Sequence, residues 1–168
     1  MSLSNNFVRN THFVYGFSFK GKRTTDVGED LLTVTIDTEE DIMDGTPVTI
    51  TGVDDDGDVT VEVTTAAAEP DAFLYSRISE DLTDAEWMLA NDIYRDEVKY
   101  GDPATAILKK KNGVIKTNLA DATSLTVGDN VEVGDLATEE AFVVEDTGTV
   151  VGRVIATDGA DYVTIILK

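Results

Sequence analysis

The segment VTITGVDDDGDVTVEV, which runs from Val48 to Val63, contains two short apolar stretches on either side of an acidic turn. In residues 48–53 and 59–63, apolar side chains alternate with polar ones, which is the period of a β-strand with one buried face. The turn between them contains Gly57, and glycine favours tight hairpin connections. This segment therefore predicts a β-hairpin and indicates a mainly β fold.

Short strands and turns continue on both sides of this hairpin. Residues 31–36 are rich in β-branched side chains, and residues 73–78 form another short strand-like segment. Beyond Gly101, six strand-like segments follow, with a glycine in or beside each intervening turn. Evenly spaced short strands of this kind predict a small β-barrel or sandwich body. The six segments are residues 104–109, 114–117, 130–133, 141–144, 150–156 and 162–167.

One stretch favours an α-helix, from about Thr83 to about Lys99. Thr83 and Glu86 have the spacing of a capping box at a helix start, and Gly101 follows the predicted end. Trp87 lies on the apolar side of this helix. We expect Trp87 to anchor the helix to the β body; the alternative is that it stacks on a ligand or on a neighbouring subunit.

The predicted organisation of the chain has four parts. Residues 1–23 form an extended N-terminal arm and first strand, and residues 24–78 form an N-terminal β part. Residues 79–100 form a helical insertion, and residues 101–168 form a C-terminal β-barrel-like part. The predicted fold is thus mainly β: a small β-barrel or sandwich body with one inserted α-helix and an extended N-terminal arm.

The N-terminal arm differs from the rest of the chain in charge and in aromatic content. The first 25 residues carry four Lys and Arg and no Asp or Glu, whereas the remaining 143 residues hold 9 Lys and Arg against 33 acids. Aromatic side chains occupy every second position from Phe13 to Phe19, which is the pattern of a strand with one aromatic face. We expect the arm to bind a partner; the alternative is that residues 13–19 supply a strand to the protein's own core. The predicted interface consists of Asn6, Phe7, Arg9, His12, Phe13, Tyr15, Phe17, Lys20, Lys22 and Arg23.

Composition excludes several classes of function. The formal net charge is −20, which would repel the phosphates of DNA and RNA and the surface of an anionic membrane. There is no cysteine and only one histidine, so thiol chemistry and His-rich metal sites are excluded. No apolar run is long enough to cross a bilayer, and no signal-peptide pattern is present. We expect neither nucleic acid nor a membrane as partner.

The sequence predicts no catalytic residue, no cofactor and no metal. It contains none of the nucleophile-elbow, P-loop or dinucleotide-binding motifs, and carboxylates are too abundant for a chance pair to indicate a hydrolase. Residues 54–58 are the strongest cation candidate, but Val59 stands where a calcium loop requires glycine. We interpret them as a solvated hairpin turn, with weak cation binding as the alternative. Residues 109–111, three lysines, are interpreted as an exposed hairpin tip, or as a contact to an acidic surface of a neighbouring copy.

The C-terminal half resembles the head decoration, or capsid cement, proteins of tailed bacteriophages and related viruses. The similarity lies in the run from Tyr100 to Pro103 before a β-hairpin, in the run from Leu125 to Asp129, and in the strands at residues 151–156 and 162–167. This resemblance implies a non-enzymatic virion protein on the outer capsid surface, made in the host cytoplasm. It implies a homo-trimer that stabilises the shell by bridging subunits of the major capsid protein.

Three other functions stay open at this stage. A tail or baseplate β module could have a similar sequence. A carbohydrate-binding surface module could use Trp87 and Tyr94 on a β face, although the chain shows no export signal. A carboxylate-dependent hydrolase has only the abundance of acids in its favour.

Overall fold

A computed structural model describes residues 11–14, 31–37, 42–43, 45–75, 97–98 and 103–168. Within these residues the chain forms β-strands and no helix, so the predicted mainly β class is confirmed. The strands are β1 (Thr11–Val14), β2 (Leu31–Ile36), β3 (Ile42–Met43), β4 (Pro47–Val53), β5 (Val59–Val63), β6 (Ala72–Tyr75), β7 (Glu97–Val98), β8 (Pro103–Leu108), β9 (Val114–Thr117), β10 (Asn130–Val133), β11 (Phe142–Val144), β12 (Gly152–Thr157) and β13 (Val163–Leu167).

Five strands close into a barrel in the order β2-β5-β4-β6-β8. The hairpin predicted from the sequence is present: β4 pairs antiparallel with β5, and a register shift lies between Ile50 and Gly52. Strands β2 and β5 run parallel, and β8 completes the ring by pairing antiparallel with both β6 and β2. Closure leaves no free sheet edge, and the inward positions form an apolar core. That core contains Val34, Ile36, Val48, Val61, Ala72, Leu74 and Ala106.

The remaining C-terminal strands form a second sheet with β1. It has six antiparallel strands in the order β1-β9-β13-β12-β10-β11. A larger apolar cluster packs on it, and this cluster includes two barrel residues, Phe73 of β6 and Ile107 of β8. The rings of Phe73 and Phe142 are tilted by 38° with centroids 6.1 Å apart. The barrel and the six-stranded sheet therefore share buried apolar surface.

Backbone hydrogen bonds at Ala67 also connect the barrel to the sheet. The N–H of Ala67 donates to the carbonyl of Val133 at 2.8 Å, and its own carbonyl accepts from the N–H of Thr149 at 2.9 Å. Ala67 has a φ of 63°, the left-handed conformation that is uncommon for a residue with a Cβ. Both backbone groups of this residue are thus bound to the second β unit, one to β10 and one to the loop before β12.

A buried carboxylate supports the same junction. Glu132 is only 8% exposed, and its Oε2 accepts hydrogen bonds from the N–H of Gly148 at 2.7 Å and of Asp146 at 3.3 Å. A buried charge is stable only when such donors replace its lost water. Glu132 therefore holds the loop that contacts Ala67.

Strand β8, at the start of the predicted C-terminal part, pairs with β2 and β6 and so closes the barrel. The sequence predicts a hairpin tip at the three lysines of residues 109–111, but β8 and β9 lie in different sheets and do not pair. The turn is held by the N–H of Asn112, which donates to the carbonyl of Leu167 at 3.0 Å, and so the chain passes from barrel to sheet here.

The predicted helix does not extend to Lys99. Glu97 and Val98 form β7, which pairs antiparallel with β3, because tertiary pairing overrides the intrinsic helix propensity of a segment. The other residues of the predicted helix, including Trp87, lie outside the described residues.

Replacing Gly148 with alanine is expected to destabilise the fold. A Cβ built at Gly148 would lie 2.5 Å from the Cβ of Ala67 and 2.6 Å from Oε2 of Glu132, so the junction must shift. Overpacking of this kind costs about 1–3 kcal/mol, which urea unfolding followed by circular dichroism would measure. Gly52→Ala is the matched control, because its Cβ would meet only an ordinary 3.7 Å contact with Thr60. Equal effects of the two substitutions would contradict this account of the junction.

Candidate interaction surfaces

Among the described strands, β1 is the first in the order of the six-stranded sheet. β1 pairs antiparallel with β9, with His12 opposite Lys116 and Phe13 opposite Ile115. The backbone of these four residues thus belongs to the protein's own sheet, as the alternative interpretation of residues 13–19 expected for Phe13 and Val14. Of the ten predicted interface residues, only His12 and Phe13 are in the described part. The others lie outside it: Asn6, Phe7, Arg9, Tyr15, Phe17, Lys20, Lys22 and Arg23.

The opposite end of the sheet has an acidic groove. β11 pairs with β10 on one side, and on the other the N–H of Phe142 donates to the carbonyl of Leu119 at 3.0 Å. Beside β11 lies a groove of about 550 Å³. Its apolar members include Val144, which is 45% exposed, and its rim carries carboxylates. A ligand that fits this groove would be cationic and apolar. The acidic lining residues are Asp121, Glu139 and Glu140.

The carboxylate of Asp121 organises the turn at one side of this groove. It accepts hydrogen bonds from the hydroxyl of Ser124, from the hydroxyl of Thr123 at 2.5 Å and from the N–H of Thr123 at 2.9 Å. These donors, the Ser124 hydroxyl first, favour the ionised form and lower the pKa of Asp121 from 3.8 to about 2. The group is therefore a fixed negative charge above pH 4 and serves the turn itself.

The Leu125 to Asp129 run, one part of the family resemblance, also forms a turn. Oδ2 of Asp129 accepts from the N–H of Thr126 at 2.8 Å and from its hydroxyl at 2.9 Å. Gly128 has a φ of 103°, and its N–H donates to the carbonyl of Val154 on β12 at 2.9 Å. The run therefore sets the entry of β10 beside β12.

Residues 54–58 form the predicted hairpin turn. Oδ1 of Asp54 accepts from the N–H groups of Asp56 at 3.0 Å and of Asp58 at 2.9 Å, and Gly57 has a φ of 90°. The described part of the chain contains no group of three or more His, Cys, Asp or Glu side chains placed to hold a metal ion. Asp54 thus fixes the shape of the turn, while Asp55, Asp56 and Asp58 are exposed to solvent.

The lysines at residues 109–111 have different surroundings. Nζ of Lys109 pairs with Oε1 of Glu69 at 2.5 Å, and the Lys109 side chain is only 10% exposed. Lys111 is exposed and lines a groove together with Arg153 and Lys168. Within the described ranges, no helix has the length and hydropathy that a membrane span requires.

Removing the Ser124 hydroxyl is expected to raise the pKa of Asp121. The folded-state pKa is depressed, so Asp121 contributes stability above pH 3.8, and this contribution is lost as the pH falls toward 2. Ser124→Ala should move the pKa of Asp121 upward from about 2 toward 3.8, as carboxyl NMR titration would show. Asp158 is the internal control, because the N–H groups of Tyr162, Ala160 and Asp161 lower its pKa in a separate turn. An Asp121 that titrates near 3.8 in the unsubstituted protein would refute the assignment.

Comparison with known proteins gives a similarity to a solved structure. No family model matches the chain, and no curated protein matches its sequence. The chain is similar to the head fiber gp8.5 N base of bacteriophage phi29, with a TM-score of 0.53 and 15% sequence identity. The match covers 82% of this chain and 92% of that one. At this identity, the similarity shows that the two chains share a fold.

Proposed function

We propose that this chain is a non-enzymatic structural protein of a bacteriophage or related virion, bound to the outer surface of the capsid. One observation carries the proposal: the chain shares its fold, over 82% of its length, with a protein whose name places it on a phage head as a fiber base. The decoration-protein resemblance of the C-terminal half points to the same class of particle.

In this proposal the N-terminal arm contacts the major capsid protein. Phe7 and Arg9 supply an aromatic and a cationic anchor, the side-chain types that contribute most at protein interfaces. β1 is part of the arm and pairs with β9 of the six-stranded sheet. Force on the arm would therefore pass into a packed body. A strand at an edge can also receive a further strand from a partner.

The proposed protein bridges capsid subunits and acts as a homo-trimer. Each added contact is intramolecular once the first has formed, so several arms on one particle strengthen attachment without any new kind of contact. The net charge of −20 suits an outer surface, because it disfavours adhesion between particles and adhesion to DNA.

The other functions have less support. The carbohydrate-binding alternative rests on Trp87 and Tyr94, which lie outside the described residues. The grooves described above and the acidic turns supply no observation that favours a tail or baseplate module over a head protein.

Deleting residues 1–10 is expected to weaken binding to capsids by at least about tenfold, because truncating interface anchors costs about 2 kcal/mol or more. Co-sedimentation of the full-length chain with empty shells of its virus measures this binding. Phe7→Ala combined with Arg9→Ala should reproduce most of the loss. Lys110→Ala is the control, since it removes one exposed cation from the body on the turn after β8, away from the arm.

Two results would contradict different parts of the proposal. A full-length chain that fails to sediment with shells would refute the capsid function. Sedimentation that survives the deletion unchanged would refute the role of the arm while leaving capsid attachment in place.

A further inference from the structure

A basic groove lies where the end of β13 meets β12 and the turn after β8. Its volume is about 530 Å³, and none of its lining side chains is acidic. This is unusual in a chain with 33 Asp and Glu against 13 Lys and Arg. The lining residues are Lys111, Asn112, Asn130, Arg153, Ile166, Leu167 and Lys168.

The cations of this groove differ from the other described cations in their partners. Lys109 is paired with Glu69, and Lys116 lies 4.9 Å from the centre of the Tyr162 ring. Among the described residues, by contrast, no side-chain carboxylate lies within ion-pair distance of Lys111, Arg153 or Lys168. Nζ of Lys168 reaches only the amide oxygen of Asn130, at 3.4 Å. Three positive charges therefore converge on one groove and remain unneutralised by the described side chains.

The floor of the groove adds an apolar component. Leu167 is buried at 1% exposure, and Ile166 beside it is partly exposed. Arg153 is exposed, and a guanidinium can bind a carboxylate through two parallel hydrogen bonds. A fitting ligand would thus present several carboxylates next to an apolar side chain.

The turn between β4 and β5 of the same chain presents this combination. Val53 is 64% exposed at the end of β4, and Asp55, Asp56 and Asp58 follow it with exposed side chains. Asp54 fixes the turn through its two backbone hydrogen bonds, so little conformational freedom is lost on docking. The turn belongs to the barrel, whereas most of the groove belongs to the six-stranded sheet.

We propose that the turn at residues 54–58 of one copy docks in the basic groove of a second copy of this chain. Each copy carries one turn and one groove, so the contact is head-to-tail and either closes into a ring or extends into a filament. A nucleic acid is a poorer occupant, because its long phosphate backbone would meet the remaining acidic surface. The inference rests on the self-association proposed above but is independent of capsid binding.

Charge reversal on each side, followed by restoration, tests the contact. The assembly state of the full-length chain is measured by sedimentation equilibrium at low salt, with thermal unfolding as a check of the fold. Arg153→Glu should weaken association by about tenfold or more, because it places a like charge opposite the acidic turn. Asp56→Arg should weaken it similarly. The variant with both substitutions should recover to within a few fold of the unsubstituted chain.

Lys116→Glu is the matched control, because it changes the net charge as Arg153→Glu does but lies outside the groove. It should leave association unchanged, and added salt should weaken association of the unsubstituted chain.

The proposal is overturned by a chain that stays monomeric at all concentrations, by association insensitive to both reversals, or by a double variant that fails to recover. If Arg153→Glu weakens association but Asp56→Arg does not, the turn at residues 54–58 is not the occupant of the groove. Duplex DNA that binds the unsubstituted chain but not Arg153→Glu would assign the groove to nucleic acid instead. Shell binding that persists in a monomeric variant would separate this result from the proposed function.

Discussion

The attachment of the barrel to the six-stranded sheet depends on the backbone of Ala67. Both of its polar groups bond across the junction, to Val133 and Thr149, and the loop that receives them is held by the buried carboxylate of Glu132. A side chain at residue 148 would overlap Ala67 and Glu132, so the junction requires a glycine there. The apolar contact of Phe73 with Phe142 reinforces the same junction. Because these contacts join the barrel to the six-stranded sheet, surfaces on both can contact the same large partner.

The many acids of this chain have a structural explanation in part. Aspartates accept backbone N–H groups in turn after turn, which fixes loops that lack repetitive secondary structure. These aspartates are exposed or half-buried, so the same residues add to the acidic surface of the molecule. This explains why an abundance of carboxylates did not indicate a catalytic pair. The turn-forming aspartates are Asp54, Asp121, Asp129, Asp135 and Asp158.

Many of the cations of this acidic chain lie in two places. The arm carries four Lys and Arg without an acid among residues 1–25, and the body gathers Lys111, Arg153 and Lys168 in one groove. Two separate basic features allow two kinds of contact, one to a foreign surface and one to another copy. In the functions proposed above, the arm would hold the capsid and the groove would bind a second copy of the chain.

The sequence alone determined the mainly β class, the hairpin of β4 and β5, and the positions of strands such as β2, β9 and β10, because alternation and glycine turns are local signals. The ten predicted arm residues stay a prediction, since only His12 and Phe13 are described. Tertiary structure alone decided that β8 closes the barrel, that β1 borders β9, and that Glu97 and Val98 pair with β3. It also placed Lys111 and Arg153 in the lining of one groove. These outcomes depend on which distant strands bury each other's apolar faces, and no local pattern encodes that choice.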